Sequence, residues 1–329
     1  MTTRLAFAGA GYIANIHALA AQKQPDVEMV AVVEKFKDKS NQFASKFGLK
    51  CCFGSVEELL AQEKVDALVI GTPNCLHAPQ ALAALQRGVH VLVEKPMAMN
   101  SIEAARMLAA SRKSGAVLMV AHCWRFDEDV LWLKKHSGKL GSVVRTKGCG
   151  VHVNWGPAGW FTQKDLAGGG ALADMGIHAL DTARFLLGDP QPVSVFARIG
   201  TYYKQFDVDD TGMILVNWEG GAVSCIESGW WQPHADGPEA YTQLYGVNGF
   251  GQLFPTFIQD KRGHRKEAGT PYPRPEHCPQ AMYDRQMAYF LRCIRTRTTP
   301  VPGGQEGLVN MKIVDAAYKS ARSGRVEKV

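Results

Sequence analysis

Short apolar runs recur along the first 120 residues, each followed by a stretch whose apolar positions fall three and four apart. "RLAFAG" at 4–9, "VEMVAVVE", "VDALVIGTP", "HVLVEKP" and "VLMVAHCW" read as buried strands. Between them, a segment opening at "GAGYIANIHALAAQKQ", then Ser40–Phe47, "SVEELLAQ", "HAPQALAALQRG" and "NSIEAARMLAASRKSG" read as helices. Period-two and period-3.6 segments alternating at this pace predict right-handed crossovers and a parallel, doubly wound sheet.

The pattern changes after Gly141. "SVVRTKGCGVHV", "PVSVFARIGTYY", "DTGMILVNWEGGAVSCIESGWW" and "AYTQLYGVNGFGQLF" read as long strands joined by hairpins, with turns at Glu219-Gly220-Gly221 and Asn248-Gly249. Such strands build a mostly antiparallel open sheet, interrupted once by a helix from Ala171 to Gly188. Two helices, Ala281–Arg295 and Gly307–Ser323, close the chain. The fold class is α/β, with a dinucleotide-binding (Rossmann) domain over 1–122 and an α+β substrate and oligomerisation domain over 123–329. A length of 329 residues suits two cores rather than one.

Composition narrows the function classes. Hydrophobic residues at 46% with 21% charged describe an ordinary globular protein, and the net charge of +6 is spread without a basic run, which argues against nucleic acid as a partner. No apolar stretch is long enough to span a membrane, and "MTTRLAFAGAGYIANIH" meets glycines and a histidine too early for a signal peptide, so a cytoplasmic protein is expected. The eight cysteines lack metal or redox spacing, so neither a metal site nor disulfides are expected.

Gly9-Ala10-Gly11-Tyr12-Ile13-Ala14 fits G-x-G-x-x-[GA] at the first strand-to-helix turn, where glycines admit a pyrophosphate and the helix start offers N–H groups to it. Glu34 ends the second strand, positioned to accept hydrogen bonds from ribose hydroxyls. That favours NAD, while Lys35 and Lys37 leave NADP open. At the carboxyl ends of the strands "VDALVIGTP" and "HVLVEKP" stand Thr72, Pro73, Asn74 and His77, then Glu94 and Lys95, and ligands of open α/β sheets bind at that edge.

"GGGALADMGIHALD" places Asp174, His178 and Asp181 on one face of a helix at spacings of four and three. Together with "AGAGYIA", "GTPNCLHAPQALAALQRGVHVLVEKPMA", "WRF" at Trp124–Phe126 and "DAAYKSARSG", it resembles the glucose-fructose oxidoreductase, inositol dehydrogenase and rhizopine catabolism family over essentially the whole chain. The resemblance implies oxidation of a sugar, polyol or sugar-derivative hydroxyl, or reduction of the ketone, with NAD or NADP. It also implies a homodimer or homotetramer formed through the C-terminal sheet. Carried over by position, Lys95 is the family's lysine and Asp174 and His178 are its acidic and basic pair.

Chemistry supports that pairing. Removing hydride from an alcohol requires a base for the hydroxyl proton, and an imidazole serves near neutral pH. Asp174 would orient the imidazole or the sugar, and Lys95 would stabilise developing negative charge on oxygen. The triple glycine is expected to allow a tight entry close to the sugar. Asp181 is read as structural, binding a backbone amide or an arginine, with contact to the substrate as the alternative. Arg125 is expected at the carboxamide end of the cofactor or on an anionic substrate group, with an interdomain salt bridge as the alternative. His152 and Trp155 are expected against the substrate, and Trp124, Asn154 and Trp160 line the same region, as does a loop from Trp230 to Tyr241. Two other classes fit the scaffold: a glycosidase using a held NAD for transient oxidation, and a non-catalytic sugar or nucleotide sensor.

Overall fold

A computed structural model describes residues 2–234, 238–274 and 278–329. The chain forms two compact units. One holds Met1–Cys123 and Cys278–Leu308, the other Trp124–His277 and Val309–Val329. The first crossing thus follows Cys123, and the chain then returns to the first unit for a helix near its end, which a single cut at 122 does not describe.

The first unit runs β1 (Thr3–Ala8), α1 (Tyr12–Gln22), β2 (Val27–Val33), α2 (Lys37–Phe47), β3 (Cys51–Phe53), α3 (Val56–Gln62), β4 (Ala67–Ile70), α4 (His77–Leu85), β5 (His90–Glu94), α5 (Ser101–Ser114) and β6 (Leu118–Ala121). Its six parallel strands are ordered β3-β2-β1-β4-β5-β6, so the order reverses beside β1. That reversal opens a ligand crevice at the strands' carboxyl ends. β4 and β6 are buried at every position, as strands covered on both faces must be. Local signals stop and start the helices. Ser55 accepts the Glu58 N–H at 3.1 Å, Asn100 accepts the Glu103 N–H at 3.0 Å, and Gly115 ends α5 in the left-handed conformation.

The second unit contains α6 (Glu128–His136), β7 (Val143–Val153), α7 (Lys164–Ala167), α8 (Ile177–Leu187), β8 (Pro192–Gly200), β9 (Thr211–Trp218), β10 (Val223–Gln232), β11 (Ala240–Gly246), β12 (Gly249–Gln252), β13 (Phe257–Asp260) and β14 (Arg265–Glu267). The chain ends with α9 (Gln280–Thr296), which packs on α1 in the first unit, α10 (Gly304–Ser323) and β15 (Glu327–Lys328). Nine strands pair in the order β14-β13-β12-β11-β7-β10-β9-β8-β15. All pairs are antiparallel except β7 with β10. Along β9, Gly212, Ile214, Val216 and Trp218 are buried, and Met213, Leu215 and Asn217 face outward. The "GVNGFG" segment is the tight β11–β12 hairpin, as its Asn-Gly turn predicts.

The helix expected from Ala171 to Gly188 is two structures in series. Leu172–Gly176 is a π-helical turn and Ile177–Leu187 is α-helical, capped by left-handed Gly188. Asp174 lies on the widened turn and His178 on the first α-turn. π-turns of this kind are frequent at functional sites.

Candidate active site

The first unit holds the groups that the sequence assigns to the nucleotide. Gly9 has φ +97°, and a Cβ there would lie 2.8 Å from the Gly71 carbonyl oxygen, so only glycine serves. Ile13 packs on Gly71 from the other side, since a Cβ at Gly71 would meet its Cγ2 at 2.9 Å. Gly11 precedes α1 with no side-chain cap and open space where a Cβ would project, and Tyr12 is 81% exposed. An uncapped helix start beside open glycine backbone fits a pyrophosphate, whose oxygens take the first-turn N–H groups. The Glu34 carboxylate is fixed between the two segments that meet there, accepting the Ala10 N–H at 3.3 Å and the Phe36 N–H at 3.2 Å. Lys35 packs over the Phe36 ring at 4.9 Å.

At the ends of β4 and β5 the expected residues converge, but not all face outward. Thr72 donates from Oγ1 to Gln80 at 2.8 Å, Pro73 is half-buried, Asn74 is buried, and Lys95 is half-buried at the edge. His77 is 1% exposed and its Nδ1 and Nε2 face the backbone carbonyls of Pro96 and Thr72 at 2.8 and 2.9 Å. Both ring nitrogens are therefore engaged by the protein. His77 shapes this edge from behind and does not present a nitrogen to a cofactor.

The second unit carries Asp174 and His178. The Asp174 carboxylate accepts the indole N–H of fully buried Trp230 at 3.0 Å. His178 is 8% exposed and lies face to face with Trp124, ring centroids 5.0 Å apart and planes 18° apart. His152 stacks on Trp155 at 3.5 Å and 28°, with Trp155 half-exposed. Asn154 is exposed with φ 61°, and Trp160 stacks on its neighbour Phe161. Of the loop expected after Trp230, Trp230–Gln232 belongs to β10 and residues 235–237 lie outside the described residues.

Two expectations besides His77 change. The triple glycine serves the protein interior rather than the sugar. A Cβ on Gly169 would overlap the Tyr318 hydroxyl, and one on Gly170 would overlap the Asp209 carbonyl. Asp209 accepts the N–H groups of Gly170 at 2.8 Å and Leu172 at 2.9 Å, and the Tyr318 hydroxyl donates to it at 2.7 Å. The first N–H groups of the π-turn are thus capped by a carboxylate from a distant loop. Burial raises the Asp209 pKa, opposed by those hydrogen bonds, and burial with the nearby Asp209 charge lifts Tyr318 well above the phenol range.

The second correction is Arg125. Its guanidinium is 2% exposed and spans Asp181 (2.7 and 2.8 Å) and Asp189 (2.8 and 3.0 Å). Burial works against its charge, and the two aspartates more than offset this, holding its pKa above the ordinary value. A fork committed to two carboxylates does not read a carboxamide. Asp181 also accepts from Asn310 at 2.8 Å, so it is structural, as expected. Asp209, Tyr318 and Asn310 were not singled out from the sequence, and Trp230 was read only as the start of a loop, because each acts across a separation of 37 or more positions. Among the described residues no cluster of three or more metal-ligating side chains occurs, and no helix is long and apolar enough to cross a membrane.

Comparison with known proteins agrees with this layout. Residues 3–122 match the family model described as "Oxidoreductase family, NAD-binding Rossmann fold", and 135–250 match the "GFO/IDH/MocA C-terminal domain". The chain is 30% identical to D-glucoside 3-dehydrogenase of Escherichia coli (strain K12), covering 98% of this chain and 97% of that protein. It is 30% identical to D-xylose 1-dehydrogenase (NADP(+)) 2 of Haloferax volcanii, covering 97% of each. The aldose-aldose oxidoreductase of Caulobacter crescentus, solved with glycerol, superposes with a TM-score of 0.86 at 26% identity over all of both chains.

Proposed function

The chain belongs to the GFO/IDH/MocA family of NAD-binding oxidoreductases, and from that premise we propose that it oxidises a secondary hydroxyl of a sugar, cyclitol or glycoside. The carrying observation is the placement of Asp174 and His178 on a π-to-α junction, braced by Trp230 and Trp124. A bound nicotinamide supplies the hydride acceptor. His178 takes the hydroxyl proton, Asp174 orients the reacting group, and the Lys95 ammonium stabilises the developing oxyanion. Stacking on Trp124 limits ring rotation of His178, so its nitrogens keep one direction as the proton moves.

Glu34 supports NAD over NADP, since a carboxylate held beside the glycine turn would repel a 2′-phosphate. His152 and Trp155 offer a stacked aromatic platform for the sugar ring. The eight free thiols suit a reducing cytoplasm. Outward-facing Met213 and Leu215 on the nine-stranded sheet support a homodimer or homotetramer built on that face.

The experiment is an absorbance assay at 340 nm with NAD and NADP in parallel, against methyl β-D-glucoside, D-xylose, scyllo-inositol and levoglucosan. Reduced NAD formed with one of them supports the reading. Glycoside cleavage without net reduced cofactor would replace it with the hydrolase.

A further inference from the structure

Two buried histidines grip the turn that carries Lys95. His17, on α1, is 0% exposed and its Nε2 meets Glu94 Oε1 at 2.7 Å. The other Glu94 oxygen accepts the backbone N–H of Lys95 at 3.1 Å. With both Glu94 oxygens accepting, the His17 proton sits on Nε2, an assignment made from the partners. On the far side of the same turn, His77 faces the carbonyl of Pro96 through Nδ1 and that of Thr72 through Nε2. With the His77 proton on Nδ1, the peptide N–H entering Lys95 and the carbonyl one residue beyond it are both tied, through buried side chains, to separate helices.

We propose that His17 and His77 are positioning residues that fix where the Lys95 side chain departs from the backbone. The inference rests on the assignment of Lys95 to the reacting oxygen. A lysine side chain has four rotatable bonds and holds little direction of its own, so the location of its ammonium depends on a fixed root. Misplacing a catalytic group by about 1 Å costs on the order of a hundredfold in rate. The two helices involved are also those that frame the cofactor site. α1 begins at the glycine fingerprint, and α4 follows Thr72-Pro73-Asn74 directly. The elements that receive the nucleotide thus also anchor the lysine.

The test uses the geometry of side-chain amides. Glutamine places its nitrogen where histidine has Nε2, and asparagine places its nitrogen where histidine has Nδ1. H17L removes the donor to Glu94 and H17Q keeps it. H77N keeps the Pro96 contact and H77Q keeps only the Thr72 contact. For each full-length variant, the NADH dissociation constant is measured by fluorescence titration, and kcat and KM are measured with NAD and the four sugar probes named above, beside K95A.

H17L is expected to lose about ten- to a hundredfold in kcat with NADH affinity within about threefold, and H17Q to recover to within about fivefold. H77N is expected to retain at least about tenfold more kcat than H77Q. Equal kcat in H17L and H17Q, or H77Q at least as active as H77N, would overturn the proposal. Should H17L fail to bind NADH, the His77 pair decides alone. Full activity in K95A would refute the role of Lys95 itself, a result separate from any His17 or His77 outcome.

Discussion

Trp124 lies flat on the imidazole of His178, with ring centroids 5.0 Å apart, and the same indole meets Phe254 edge-on at 6.5 Å. The proposed base is held by an aromatic face on one side, and that face is itself wedged by a second ring. W124L removes the face and W124F keeps a smaller one. W124L is expected to lower kcat about tenfold with NADH affinity unchanged, and W124F to retain most of it. Steady-state kinetics beside NADH titration check this, and equal kcat in both variants would show that the stack has no catalytic role.

Gly170 has no room for a side chain against the Asp209 carbonyl. G170A should force the π-turn away from Asp209 and destabilise the second unit by about 2–3 kcal/mol, read as a lower urea midpoint. An unchanged midpoint would mean that the turn relaxes freely.

Arg125 offers its planar fork to Asp181 and Asp189, and lysine cannot copy it. R125K is expected to lose about 1–3 kcal/mol of stability through imperfectly paired buried carboxylates. NADH affinity of the folded variant should stay within about threefold of wild type. A large loss of affinity in a folded R125K would restore the cofactor contact expected from the sequence.

Burial holds the His77 pKa below the ordinary histidine value, with the Pro96 and Thr72 carbonyls pulling less strongly the other way. The unfolded chain therefore binds a proton at this residue, near pH 6.5, before the folded protein does. Folding stability should fall as pH drops below about 6.5 and continue falling until the lower folded-state value is passed. H77Q is expected to flatten part of that slope in urea titrations between pH 7 and 5. His90, also shifted down by burial, adds to that slope from the same unit. An identical slope in H77Q would assign the effect elsewhere.

What the sequence disclosed follows from the range of each interaction. The fingerprint turn, the starts of the helices at Ser55 and Asn100, and the tight hairpin at Asn248 are settled within a few residues. The helices and the hairpin stand where the sequence predicts them, and the side chains of Ser55 and Asn100 cap those two helices. β3 escaped notice because Cys51–Phe53 is too short for a period to register. The π-turn escaped because its apolar pattern matches that of an α-helix, and the Asp209 cap that receives it lies 37 positions downstream of Leu172. The return of α9 to the first unit rests on its packing against α1, as in the His17–Tyr283 edge contact at 5.7 Å, which no local signal announces. Arg125 was misplaced for a related reason: its position after β6 suggests the ligand edge, while its partners lie 56 and 64 positions away.

The most direct test of the central claim is to follow the hydride itself. NAD is incubated with the active sugar probe carrying deuterium on its ring carbons, and the reduced cofactor is analysed by mass spectrometry. Direct transfer to nicotinamide predicts reduced NAD one mass unit heavier than with the unlabelled sugar, with the heavy product absent in H178A. Reduced cofactor without deuterium, or sugar turnover that never labels the cofactor, would contradict the proposed reaction.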